Sequence, residues 1–193
     1  MEKRVKLKDG TEVLIREMRP DDAGRSLAFF QALPDEDTIY LRRPMKDSGA
    51  VQWRIQTMTT GAVLRLVALA DDEIVADGAL ELEGHGWKED VGEMRLIVAH
   101  AYQGKGLGKL MAFELYRLAN KRKVDEIVVK MMGPQTGVRR MFEHLGFHPE
   151  AELHNYVKDL TGHKQDLILM RCKLRELWDK MEDQVGNDWR RMR

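Results

Sequence analysis

The segment Glu93-Met-Arg-Leu-Ile-Val98, followed by His-Ala-Tyr-Gln-Gly-Lys-Gly-Leu-Gly108, constrains this chain more than any other. Its first part reads as a strand, with Glu93, Arg95 and Ile97 on one face and Met94, Leu96 and Val98 on the other. Leu107, Leu110, Met111, Leu115 and Leu118 then recur at helical spacing. Three glycines, Gly104, Gly106 and Gly108, join the two patterns. Without a Cβ, the backbone there can pass close to a ligand. The first helical turn also has N–H groups with no intrahelical partner and the positive end of the helix dipole. Such a junction is an anion site, most often for phosphate.

Missing residues narrow the ligand. A magnesium-nucleotide loop needs a Ser or Thr after its Gly-Lys, and Gly104 to Leu110 offers neither. A dinucleotide fingerprint needs G-x-G-x-x-G, with an acid roughly 20 residues on for the ribose. Here the glycines run G-x-G-x-G, and Asp125-Glu126 precede the next strand instead of ending it. The spacing by itself also suits a glycine-rich turn that holds no ligand.

Along the chain, Val5 to Leu7 and Val13 to Arg16 read as a hairpin turning at Asp9-Gly10. Ala23 to Leu33 carries a helical stripe that Asp21 can cap, and Leu33-Pro34-Asp35 opens a second helix. Leu64 to Ala70 and Ile74 to Leu82 read as strands around Asp71-Asp72-Glu73, with His85 to Asp90 leading to the Glu93 strand. Glu126 to Lys130 is a further strand, and two more, Leu153 to Lys158 and Asp166 to Leu174, flank Thr161-Gly162. This order gives one mixed α/β sheet, neither a repeat nor two domains. Leu174, Leu177, Trp178, Met181, Val185, Trp189 and Met192 recur at helical spacing in the tail. That extra helix could pack on its own domain, form a homodimer contact or bind a partner.

Two motifs carry a family resemblance. Gln103-x-x-Gly106-x-Gly108 resembles the pyrophosphate loop of the GNAT superfamily of acetyl-CoA-dependent N-acyltransferases. Met141-Phe-Glu-His-Leu-Gly-Phe147, after the Glu126 strand, is similar to the family's second motif and stands in the family's order. The resemblance spans about residues 5–174 and is clearest over 93–147. The segments 9–22 and 33–42 look like the acetyltransferase domain of bacterial enzymes that acetylate protein lysines, except that Arg43-Pro44 replaces the usual aromatic after Tyr-Leu-Arg42. The implied fold is α+β: a mixed, mostly antiparallel central sheet flanked by helices. The implied division is a GNAT domain over 1–173 and an amphipathic helix over 174–193.

The resemblance also implies roles. Acetyl-CoA would be the cosubstrate, with no metal. Glu93, on the strand before the loop, matches the catalytic glutamate of several relatives, a base for the incoming ammonium; pairing with Arg95 or another cation is the bland alternative. Backbone groups of Leu96, Ile97 and Val98 would hold the pantetheine arm. Gln103 and the amides of Gly104, Lys105, Gly106, Leu107, Gly108 and Lys109 would hold the pyrophosphate, with Lys105 as an added charge. Gln135 stands where many relatives have an asparagine that contacts the arm, and Phe142 where many have a tyrosine acid. Phenylalanine donates no proton. A thiol with a pKa of about 8.5 nevertheless leaves well as the thiolate.

Composition limits the partners. Lys+Arg and Asp+Glu both number 32, so no net charge argues for nucleic acid or an anionic membrane. No apolar run reaches membrane-spanning length, and Met-Glu-Lys-Arg-Val is not a signal peptide. Cys172, the single cysteine, reads as a small core residue in a reducing compartment, which points to a cytoplasmic protein. His144 and His148 are separated by the helix-ending Gly146 and do not read as metal ligands. The expected activity is acetyl transfer by direct attack in a ternary complex. The acceptor would be a primary amine, a protein lysine or a small cationic amine, drawn by Glu81, Glu83 and Glu93. The alternative is a non-catalytic acyl-CoA sensor or interaction module.

Overall fold

Among the described residues there are eight strands: β1 (Glu2–Lys6), β2 (Glu12–Glu17), β3 (Val63–Ala70), β4 (Glu73–Leu82), β5 (Val91–Val98), β6 (Glu126–Met132), β7 (His148–Lys158) and β8 (Lys164–Lys173). The computed structural model describes residues 2–82 and 86–175. The strands form one sheet in the order β1-β2-β3-β4-β5-β6-β8-β7, antiparallel throughout except for the parallel β5–β6 pair. The mixed, mostly antiparallel sheet expected from the sequence is therefore present. The tail helix falls outside the described residues beyond Arg175. Among the described residues no helix is long and apolar enough to cross a membrane.

Helices α1 (Ala23–Ala32), α2 (Asp35–Thr38), α3 (Ser48–Thr59), α4 (Leu107–Lys121) and α5 (Thr136–His144) cover the two faces. Strand alternation separates their cores. Leu66, Ala68, Leu80 and Met94 pack with Leu107, Met111 and Leu115 of α4 and with Phe142 of α5. Val67, Leu69 and Ile74 pack on the other face with Phe29, Phe30 and Met45. Cys172 is buried in the first core, as its alternation predicts.

Two local readings change. Asp21 does not cap α1; a 3₁₀ turn, Pro20–Asp22, precedes the helix, and the capping position falls to Asp22, whose side chain makes no cap bond. That carboxylate instead accepts two hydrogen bonds from Arg16 and one from the Arg19 N–H. Helix α3 occupies a stretch in which the sequence reading placed no element. Asp47 caps it, Oδ1 accepting from the Ala50 N–H at 2.7 Å.

Candidate active site

Strands β5 and β6 pair only from Val91–Glu126 to Met94–Val129. Past Met94 the register between them ends, although β5 stays paired with β4 as far as Val98–Ala76. One edge of Arg95 to Val98 is thus left without a strand partner, and buried or half-buried backbone polar groups need one. A cleft of about 660 Å³ opens along this edge, lined by Leu96, Ile97 and Val98 as expected.

At one end of the cleft stands the N-terminus of α4. Gly106 occupies its capping position at φ 92°, in the left-handed region where a side chain is strained, and no side chain caps the helix. The first-turn amides of Leu107, Gly108 and Lys109 therefore remain available to an anion. Gln103, Gly104, Gly106, Gly108 and Lys109 line the cleft. The Leu107 side chain is fully buried, so that residue can contribute only its backbone. Gln103 secures the approach to the loop, its Nε2 donating to the Val98 carbonyl at 3.0 Å.

Two loop residues, Gly108 and Lys105, act differently from what the sequence suggests. A Cβ on Gly108 would stand 3.1 Å from Met141 Sδ and 3.8 Å from Val98 Cγ2. The missing side chain therefore seats α4 against β5 and α5, and only the Gly108 amide is left for a ligand. Lys105 turns away to Asp9, with Nζ 2.7 Å from the carboxylate. That ammonium, with the Thr11 N–H, lowers the Asp9 pKa to about 2. On the cleft side stand instead Lys109 and Lys8, the latter with its side chain crossing Gly106 and its N–H donating to the Lys105 carbonyl. Lys8 belongs to the β1–β2 turn, about 100 residues earlier, and no local motif marks it.

Glu93 lies between two cations. Its Oε2 accepts from Lys130 Nζ at 2.7 Å and its Oε1 from Arg42, with the side chain 18% exposed. Arg95, its near neighbour on the strand, pairs with Glu81. Glu81 stands directly opposite Glu93 across β4–β5, a like-charge pairing that these cations neutralise. The acidic positions expected to draw a cation are therefore already occupied; Glu83 lies outside the described residues.

The remaining predicted residues, Gln135 and Phe142, both line the cleft. Gln135 Oε1 accepts from the Met132 N–H at 2.9 Å, securing the turn from β6 into α5. Phe142 is buried edge-on against Phe147, ring centroids 5.0 Å apart. His144 Nδ1 donates to the carbonyl of Arg140 in its own helix. Glu152, His154 and Asp166 bring ligand-type atoms within 4.8 Å of one another on the β7–β8 hairpin, a grouping that no metal-ligand spacing along the chain marks. Their exposure and the Asn155 N–H bond to Asp166 give them an ordinary surface role.

Residues 27–147 match the sequence model of the acetyltransferase (GNAT) family. The chain belongs to this family. No curated protein sequence matches it. Among solved structures it resembles the GNAT domain of S. lividans PAT, with TM-score 0.75 and 18% identity, covering 89% of this chain and 96% of that one. It is also similar to Mycobacterium smegmatis RimJ in complex with CoA-disulfide, with TM-score 0.76 and 17% identity, covering 95% and 94% of the two chains. The Salmonella typhimurium putative acetyltransferase yncA, with its cofactor acetyl-CoA, gives TM-score 0.71 and 21% identity over 84% and 94%. At these identities the structural likenesses establish the GNAT fold, while the family assignment rests on the sequence match.

Proposed function

We propose that this GNAT protein binds acetyl-CoA along the free edge of β5 and transfers the acetyl group to a primary amine. The observation that carries this reading is the parting of β5 from β6 beside the uncapped start of α4. A free strand edge and a set of unpaired helix amides suit an amide-bearing arm that ends in a pyrophosphate. Gly104, Gly106 and the amides of Leu107 to Lys109 receive the phosphates, with Lys8 adding charge. Leu96, Ile97 and Val98 receive the arm. When bound, acetyl-CoA supplies a thioester whose C–S bond breaks as the amine's C–N bond forms.

The chain's own part is proton handling and charge placement. An acceptor ammonium with a pKa of about 10.4 must lose a proton before it can attack. Glu93 takes that proton, directly or through one water. A β5 N–H faces the developing oxyanion, a donor of a kind worth roughly 3 kcal/mol. The thiolate takes its proton from water, because Phe142 has none to give.

Calorimetry with coenzyme A tests the cofactor site, and acetyl transfer to an amine panel tests turnover. Gly106→Val forces a β-branched residue into left-handed backbone and is expected to weaken coenzyme A binding at least about tenfold in a folded protein. Unchanged affinity would remove the phosphate assignment. Tight binding with no turnover on any amine would favour the acyl-CoA sensor reading.

Phe142→Tyr is expected to change kcat by much less than the roughly 100-fold associated with an essential general acid. A gain of that size would show that this step limits the natural protein.

A further inference from the structure

The inner end of the cleft, on the α1 and α3 side of the sheet, carries an unusual row of charge. Arg65 on β3 pairs across the sheet with Ala79 on β4, and Ala79 with Arg95 on β5. The two arginines thus share one face, two strands apart, about 10 Å between their Cα atoms by ordinary strand spacing. Between them stands only the methyl group of Ala79, and all three residues line the cleft. The next row on the same face holds Asp77, and Arg54 of α3 reaches across to it.

The carboxylates here do not meet this demand. Asp77 Oδ2 is taken by Arg54, which also lies over the Phe30 ring, 4.8 Å from its centroid. Arg65 Nη1 stands 4.0 Å from Asp77 Oδ1, beyond hydrogen-bond reach. Arg65 Nε is buried with no partner, although the residue is only 5% exposed. Arg95 has its pair with Glu81, yet its Nε is likewise buried and unpartnered. Arg42 and Lys130 share Glu93, and Arg43 stacks on Trp53 at 3.9 Å. Five arginines and Lys130 thus gather here with Asp77, Glu81 and Glu93, while Glu36 and Asp37 line the cleft at its α2 side, and none of these carboxylates meets the Nε of Arg65 or of Arg95.

Burial acts on both guanidinium groups in the same direction. Burial, with Arg54 nearby, pulls the Arg65 pKa down to about 10 against the pull of Asp77. Burial and then the charges of Arg42, Arg65 and Arg43 bring Arg95 to about 10. A buried guanidinium with unmet donors is costly, and its planar fork matches a carboxylate. We propose that the acceptor is a small amine bearing a carboxylate, which Arg65 and Arg95 bind while the amine points toward Glu93 and the free edge of β5.

This inference rests on the acetyltransferase reading and narrows its acceptor. Size follows from burial: Arg54 and Arg65 are more than nine-tenths covered, so only a short group reaches them. Sign follows from the unmet donors of Arg65 and Arg95. A polyamine or an extended lysine segment would bring further cations against Arg65 and Arg95 and would accept nothing from their unmet donors.

The test uses the full chain with acetyl-CoA. Several α- and ω-amino acids are each compared with the matching carboxamide and decarboxylated amine, alongside spermidine and a neutral-flanked lysine peptide. At least one amino acid is expected to exceed its carboxamide in kcat/KM by about 100-fold or more, since the amide leaves the arginine fork facing a neutral group. Arg65→Gln and, separately, Arg95→Gln should raise KM for that amino acid and shrink its advantage, with coenzyme A affinity unchanged. Arg65→Lys keeps the charge and loses the fork, so it covers the case in which Arg65→Gln does not fold.

Preference for the carboxamides, spermidine or the peptide overturns the proposal, as does an undiminished amino-acid advantage in the folded arginine variants. If no amine is acetylated, the transferase reading fails separately. The proposal is then read by calorimetry on the coenzyme A complex: binding of an amino acid but not its carboxamide supports it, and binding of neither overturns it.

Discussion

Glu93→Gln is expected to slow acetyl transfer roughly 100-fold or more at neutral pH while leaving coenzyme A affinity intact. The carboxylate sits at the start of β5, before the parting from β6, and is clear of the loop proposed to hold the phosphates. Its two oxygens accept from Arg42 and Lys130, and an ionised carboxylate has about four acceptor sites. Room therefore remains for a water or the acceptor amine. Glutamine keeps one oxygen for a cation and removes the site that takes the proton. It also leaves two cations without their shared counter-charge, so slowing alone does not identify a base.

The pH profile makes the distinction. Wild-type kcat/KM should rise with pH as more of the acceptor amine becomes neutral. The Glu93→Gln protein should recover part of its rate at high pH, where more acceptor is already neutral. An electrostatic role limited to holding Arg42 and Lys130 predicts a loss that does not recover. Near-normal rates at neutral pH would make Glu93 a bystander and move the proton to an ordered water or another carboxylate.

The glycine loop was legible because its physics is local. A strand, an uncapped helix start and Gly106 between them can be recognised from some 20 consecutive residues, and the structure keeps all three in place. Helix α3 was not legible for an equally local reason. Its inward positions, Val51 and Arg54, put a charge in the apolar stripe, which breaks the periodicity that identifies a helix. Val51, Ile55 and Met58 keep helical spacing around that charge, and Asp47 caps the first turn.

The charged floor of the cleft lay further from reach. Arg65, Ala79 and Arg95 become neighbours through the register of three strands, and a one-residue slip would move them to opposite faces. Read along the chain, Glu81 and Glu93 suggested an acidic surface. Read across it, each already has its cations. Lys8 takes the place expected of Lys105 for the same reason, since only the fold brings the β1–β2 turn against the helix start.

Asp22→Ala is expected to destabilise the protein by about 3–5 kcal/mol, the range for removing one partner of a buried ion pair. Asp22 is 0% exposed. It accepts from Arg16 Nη1 and Nη2 at 2.6 and 2.7 Å and from the Arg19 N–H at 2.8 Å. Its loss strands the Arg16 guanidinium at the point where β2 hands over to α1, whose Phe30 supports Arg54 in the cleft. Burial by itself would raise the Asp22 pKa; the hydrogen bonds from Arg16 and the Arg19 N–H, with the charges of Arg16 and Arg25, outweigh it and hold the value below the ordinary carboxylate range. The folded pKa is thus below the unfolded value of about 3.9. The contribution is complete above that unfolded value and is lost as pH falls through the folded one. Urea titrations from pH 7 into the acid range should show wild type losing more stability than Asp22→Ala. Arg16→Met combined with Asp22→Leu should regain much of the loss, because no buried charge is left alone. If Asp22→Ala costs under about 1 kcal/mol at pH 7, the pair does not hold α1 to the sheet, and that task falls to Phe29, Phe30 and Leu33 alone.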